Sequence, residues 1–307
     1  MSIPVIIDCD PGHDDAIALL LALASPEIEL LGVTTVHGNQ TLEKTTANAL
    51  RVLDLAGRDD LPVAAGADRP LSRELTVAAH VHGESGLDGP TLPPAARGPS
   101  GEHAVDFLER TVGASARPVT LVPTGPLTNI ALFLESTGGA NVERIVLMGG
   151  AIAEGNMTPA AEFNIWADPE AAQAVFHAGI DVTMVGLDVT HRAVTTPALQ
   201  DRLRVGGTIG AFVSDLVDFF SKYHATTYGW DGAPIHDAVA VAHVIHPGLV
   251  TTVERNVEVE LVSDLCRGRT VVDLWNRTDR PVNAHVGVGL DVTGFFDLLV
   301  ERIGRLG

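Results

Sequence analysis

Residues 5–20 read VIIDCDPGHDDAIALL, and four carboxylates, Asp8, Asp10, Asp14 and Asp15, fall within eight positions directly after an apolar, strand-like run. Like charges this close resist ionising beside one another. Asp8 and Asp10 are two apart, so they share one face if the strand persists. Gly12 permits a tight turn, and Asp14 and Asp15 occupy the first turn of the helix that follows. The helix dipole contributes only about 0.3–1 kcal/mol per charge, too little to gather four partly buried acids. A hard divalent cation, Ca²⁺ or Mg²⁺, has carboxylate oxygens as its natural ligands, whereas no thiolate or histidine pair here suits zinc. An EF-hand does not fit, because Leu19 stands where the bidentate Glu belongs, and no Gly-Lys-Ser/Thr follows to make a Walker loop. The plain alternative is that the acids cap a helix and solvate a loop. Their linkage to a buried strand favours a metal site.

Working outward, short apolar runs alternate with helical patterns. Strands are expected at Pro4–Ile7, Leu30–Val36, Val119–Val122, Arg144–Met148 and Val182–Leu187, with helices near 14–24, 41–56, 102–113, 126–135 and 169–178. Several strands are apolar on both faces, as parallel strands covered by helices are. Asp168-Pro169-Glu170 supplies an N-cap, a proline at the first helical position and an acid in the first turn. The last third is mixed: helices near 209–222 and 236–245, strands at 256–262, 270–274 and 282–288, and a helix from about 292. No low-complexity linker or repeat interrupts the chain. A single α/β domain over residues 1–307, with a mainly parallel central sheet flanked by helices, is the expected architecture. Ligands of such sheets sit beyond the carboxyl ends of the strands, where the acidic turn lies.

The formal charge of −19 excludes phosphate-backbone binding and disfavours anionic membranes, so neither nucleic acid nor membrane is an expected partner. Two distant cysteines, Cys9 and Cys266, make neither a disulfide scaffold nor a zinc pattern. The N-terminus has no basic region and cleavable apolar segment, which leads us to expect a cytoplasmic protein.

The stretch IIDCDPGHDDAIALLLAL resembles the N-terminal signature of the inosine–uridine-preferring nucleoside hydrolases. GVTTVHGNQ (32–40), VHGESGLDGP (81–90), LVPTGPLTNIA (121–131), MGG (148–150), GNMTPAAEFNIWADPEAA (155–172) and DGAPIHDAVAVA (231–242) match further family segments in the family's order. The resemblance implies a nucleoside hydrolase (Rossmann-like) fold and hydrolysis of ribonucleosides to base and ribose. It implies that Asp10, Asp15, Asp237 and the Thr124 carbonyl hold Ca²⁺, and that Asp14 and Asn164 bind the ribose 2′- and 3′-hydroxyls. Asn156 and Glu162 would grip the 5′-hydroxyl, Asn39 and Met148 would line the ribose pocket, and His82 and His236 would flank the base. A homo-oligomer, dimer or tetramer, is implied as well.

The residue chemistry agrees with such a reaction. An N-glycosidic bond breaks through an oxocarbenium-like sugar cation, which calls for an activated water and a stabilised leaving base. Asp10 is the candidate general base, and His236 the group that protonates or hydrogen-bonds the departing base. Structural alternatives exist for several of these residues: His236, Glu162 and Asn164 as helix caps, Asn39 as a turn residue, His80 and His82 as surface residues. The aromatic stretch FFSKYHATTYGWDGAP (219–234) reads either as a packed helix end or as a mobile flap that stacks on the base, with His224 and Tyr228 expected to contact the base. Two other classes fit part of the pattern. A haloacid-dehalogenase-type phosphatase would release phosphate without base, and a non-catalytic nucleoside- or ribose-binding protein would never liberate base.

Overall fold

A computed structural model describes residues 2–306. Ten strands, β1 (Ile3–Cys9), β2 (Ile28–Thr35), β3 (Val63–Ala65), β4 (Val119–Pro123), β5 (Val142–Met148), β6 (Val182–Val185), β7 (Val250–Arg255), β8 (Val257–Val259), β9 (Thr270–Val272) and β10 (Ala284–Leu290), form two sheets. The larger has the order β3-β2-β1-β4-β5-β6-β10-β7, parallel throughout except for the antiparallel β10–β7 edge, and β8 and β9 pair by themselves. Before the first long loop lie α1 (His13–Leu23), α2 (Leu42–Leu55) and the short α3 (Ala79–His82). The middle of the chain supplies α4 (Ala104–Ala114), α5 (Thr128–Thr137), α6 (Phe163–Ala167), α7 (Pro169–Phe176) and α8 (Leu187–Thr190). The last third contains α9 (Pro197–Arg204), α10 (Gly207–Tyr228), α11 (Asp237–Ile245) and α12 (Val292–Ile303).

The two-residue period of β1 divides the core. Val5, Ile7 and Cys9 point into a layer with α1, α2, α10, α11 and α12, while Ile6 points into the opposite layer with α4, α5 and α7. α1 is buried almost all round, because it lies between the sheet, α11 and α2. That explains why Ala16–Ala22 reads as continuous apolar sequence rather than as a stripe.

Strand order reverses direction between β1 and β4, and the crevice of a doubly wound sheet opens at such a switch point. β1 ends at Cys9 and β4 at Pro123, so Asp10 and Thr124 are the first residues into that crevice.

The expected α/β architecture is present, with several local differences, among them the unexpected β3 and α9. The strand expected over Val182–Leu187 stops at Val185, since Gly186 turns the chain into α8 and Leu187 N–H bonds the Gly150 carbonyl. The run expected at 256–262 is strand only over Val257–Val259, and the edge strand β7 precedes it, unmarked by any alternation of polarity. The helix expected over 209–222 runs on through the aromatic stretch: α10 continues to Tyr228, where Gly229 (φ +69°) closes it in the left-handed conformation.

Leu20 is fully buried in the α1 layer. Leu20→Ala should cost about 2–5 kcal/mol, read as a lower denaturation midpoint with an unchanged unfolding slope.

Candidate active site

Asp10, Asp14, Asp15 and Asp237 converge at the switch point. Carboxylate oxygens of Asp14, Asp15 and Asp237 lie within 4.8 Å of one another, and all three residues are buried. Asp15 is the best held. Its Oδ2 accepts from Gly12 N–H (2.9 Å) and Asn39 Nδ2 (3.1 Å), and its Oδ1 from the Thr124 hydroxyl (2.8 Å). Asp10 Oδ2 accepts the Asn39 N–H at 2.6 Å, while its Oδ1 is buried without a partner.

Close backbone approach makes this packing possible. A Cβ on Gly38 (φ +154°) would stand 2.0 Å from Asp10 Oδ2, and one on Gly12 would stand 2.6 Å from His82 Nδ1.

No arginine or lysine among the described residues forms an ion pair with these acids. Burial, then the charge of Asp15, holds the Asp10 carboxyl well above its usual range; burial, then Asp14 and Asp15, does the same to Asp237. Asp14 and Asp15 are raised for the same primary reason. A buried carboxylate oxygen with no protein partner beside three crowded acids makes a donor set that fits a hard cation, since the donors are all oxygen.

Asp8 does not belong to this group, contrary to the four-acid arrangement expected from spacing. β1 ends before Asp10, and Asp8 Oδ1 is held by Thr34 (2.6 Å) and Asn129 (2.8 Å) inside the sheet. Burial raises its carboxyl to about 7.

Above the acids opens a cleft of about 90 Å³. Its floor carries Asp14, Asp237, Thr124 and Asn39; Asp10 and Asp15 lie just beneath, fully buried. One wall carries Met148, Asn156, Glu162 and Asn164. Asn164 Nδ2 donates to the Thr124 (2.7 Å) and Met148 (3.1 Å) carbonyls, which leaves its Oδ1 free to accept.

Glu162 departs from expectation. Asp168 caps α7, but Glu162 caps a helix of its own, α6, accepting from Asn164 and Ile165 N–H and also from Gly150 N–H. It therefore shapes the wall as well as lining it. Asn156 Oδ1 likewise accepts from Phe163 N–H (2.9 Å).

The far end is built of rings. His82, His224 and His236 all line it, and burial lowers the basicity of each; His224 falls to about 4. His236 stands at the N-cap position of α11 yet makes no side-chain cap bond; its Nδ1 pairs with the Thr190 hydroxyl at 2.7 Å. His224 Nδ1–H donates to the Phe220 carbonyl (3.0 Å), and its ring stacks on Tyr228 and Trp230. Tyr228, about one-third exposed, stacks on Trp230 at 4.8 Å.

Every residue singled out from the sequence as a site residue is thus at this cleft or directly beneath it. Sequence reasoning missed His191, which lines the cleft and stands edge-on to His236 (5.5 Å) and Trp230 (5.1 Å). It also missed His13, whose ring lies behind His82 and stacks on Phe220. His13 sits inside the acidic motif, and only its burial distinguishes it from a turn residue.

Residues 5–297 match the family model described as inosine-uridine preferring nucleoside hydrolase. The chain is 53% identical over 307 residues to the pyrimidine-specific ribonucleoside hydrolase RihA of Shewanella sp. (strain MR-7), covering 99% of this chain and 96% of that protein. Identity to RihA of Salmonella typhimurium is also 53%, covering 99% of each. Among solved structures, the purine-preferring ribonucleoside hydrolase from Gardnerella vaginalis superposes with a TM-score of 0.93 at 36% identity, covering 99% of this chain and 98% of that one.

Asp8 and the clustered acids bind their protons more tightly folded than unfolded. These acids contribute stability that is lost as pH rises from about 4 through 7, whereas the buried histidines, with basicity lowered from 6.5, contribute stability that is gained as pH rises toward 6.5. A divalent cation acts on the acids alone, so the thermal midpoint with the cation minus that in EDTA should widen as pH rises through this window. A difference that shrinks with rising pH would contradict this electrostatic account.

Proposed function

The chain belongs to the inosine-uridine preferring nucleoside hydrolases and is a nucleoside hydrolase; from that premise we propose that it is a calcium-dependent ribonucleosidase that prefers pyrimidine nucleosides. Membership sets aside the phosphatase and the non-catalytic binder. The observation that carries the mechanism is the all-oxygen acid cluster, with the partnerless Asp10 Oδ1, directly beneath a cleft whose far end holds three uncharged imidazoles. The pyrimidine preference is supported by the specificity in the RihA names.

Asp10, Asp15, Asp237 and the Thr124 carbonyl would hold the ion. When bound, Ca²⁺ supplies charge compensation for the acids, orients the sugar diol and makes water more acidic. Asp14 and the free Oδ1 of Asn164 accept from the 2′- and 3′-hydroxyls. Asn156 and Glu162 face the 5′ end, and Asn39 and Met148 close the pocket around the ring. Water attacks the anomeric carbon as the bond to the base nitrogen breaks, and Asp10 takes the water's proton. The negative floor favours positive charge developing on the sugar. His82 flanks the base, His224 and Tyr228 stack against it, and His236 hydrogen-bonds it as it accumulates negative charge.

A cytoplasmic homo-oligomer, dimer or tetramer, completes the proposal. Exposed Val262, Leu265 and Trp275 around the β8–β9 sheet support assembly. Sedimentation velocity should find no monomer at micromolar concentration.

Asp10→Asn should keep the fold, by circular dichroism, and lose about 10²–10⁴-fold in kcat on uridine. Near-normal hydrolysis would remove Asp10 from its role. Reducing-sugar release should be abolished by EDTA, restored by calcium, and faster with uridine or cytidine than with inosine. Tyr228→Ala should raise KM or lower kcat on uridine, and unchanged kinetics would place Tyr228 outside the base site.

A further inference from the structure

Thr190 is fully buried at the last residue of α8, and its hydroxyl makes a single hydrogen bond, 2.7 Å from Nδ1 of His236. Two arrangements of hydrogen are conceivable. If Nδ1–H donates, the hydroxyl hydrogen is left buried without an acceptor, a loss of about 1–3 kcal/mol, and the nitrogen facing the cleft is a bare acceptor. If the hydroxyl donates, every buried hydrogen is satisfied and Nε2 carries the ring's proton. His236 Nε2 has no protein partner and is not sealed in, so that proton is available to the cleft.

We propose that Thr190 is a positioning residue that donates to His236 Nδ1, fixing the tautomer whose Nε2–H hydrogen-bonds the departing base. Its placement is rigid. α8 is pinned where it leaves β6, because Leu187 N–H bonds the Gly150 carbonyl at 2.9 Å and a Cβ on Gly186 would stand 2.6 Å from that carbonyl oxygen. The Thr190 N–H bonds back to Gly186, and its carbonyl accepts from Ala193, which fixes the backbone on both sides of the hydroxyl. No proton leaves His236: the bond strengthens as charge moves onto the base oxygen, and the imidazole remains intact. The other tautomer would turn a lone pair toward that oxygen and repel it.

The proposal rests on the hydrolase reading above, and the test separates the two. Thr190→Val keeps the side-chain shape and removes the hydroxyl; Thr190→Ser restores it. With uridine, Thr190→Val should lower kcat at least about tenfold with KM changed less than about threefold, and Thr190→Ser should recover most of the loss. With p-nitrophenyl riboside, whose leaving group needs no such help, Thr190→Val should stay within about threefold of the parent. Equal losses on both substrates, or full activity of Thr190→Val on uridine, overturn the proposal.

In ¹⁵N-histidine spectra of the parent protein, the signal lost in His236→Asn should show the proton on Nε2, and a proton on Nδ1 overturns the proposal. The spectrum needs no turnover. A parent enzyme that split no nucleoside while showing Nε2–H would fail the hydrolase reading and leave the tautomer assignment standing.

Discussion

Carboxylates placed in a protein interior without cationic partners oppose the fold that contains them, and Asp10, Asp14, Asp15 and Asp237, at the end of β1 and the starts of α1 and α11, are in that position. Burial and mutual repulsion push them toward their protonated forms. What holds them is fixed backbone and small polar groups: the Gly12 and Asn39 N–H groups, the Asn39 amide and the Thr124 hydroxyl. These groups steady the oxygens without neutralising them. The remaining imbalance is the driving force for taking up a hard cation, and Gly38 and Gly125 leave room for the Asp10 carboxylate where a Cβ would collide with it.

The same imbalance organises the cleft above. In the proposed reaction, negative potential belongs under the sugar, where positive charge would develop, and would be harmful under the base, where negative charge would develop. The two ends are accordingly made of different material. The floor is carboxylate and amide; the far end is imidazole and aromatic ring, all of it uncharged in the buried state. Rings held by single directional bonds, His224 to the Phe220 carbonyl and His236 to Thr190, keep the donor and acceptor pattern of that end defined. α10, helical to Tyr228 and closed by Gly229, carries His224 and Tyr228.

Comparison of particular segments shows what could be read in one dimension. The Asp10–Asp15 spacing, the strand before it and the helix after it are local, and they predict both the turn and its appetite for a cation. Glu162 was legible as a site residue but not as the cap of α6, because a five-residue helix leaves no periodic trace and the stronger Asp168-Pro169 signal follows at once. β7 escaped because edge strands of mixed polarity lack alternation. His191 escaped because a histidine beside a short helix has no local mark; it becomes part of the cleft only through its neighbours His236 and Trp230.

The amino-acid sequence alone determined the parallel α/β class and the acidic turn at a strand's carboxyl end, since both follow from periodicity and from chemistry within a few positions; the residues expected for sugar and base were implied by the resemblance of ordered segments to a known family. Only the tertiary structure decided which carboxylates share a site. Asp8 and Asp10, two residues apart, part company because β1 ends between them, whereas Asp14 and Asp237, more than two hundred positions apart, meet because α1 and α11 pack side by side. Distance along the chain carries no information about such a meeting, and burial, which gives the acids and imidazoles their altered affinity for protons, exists only once the layers have closed.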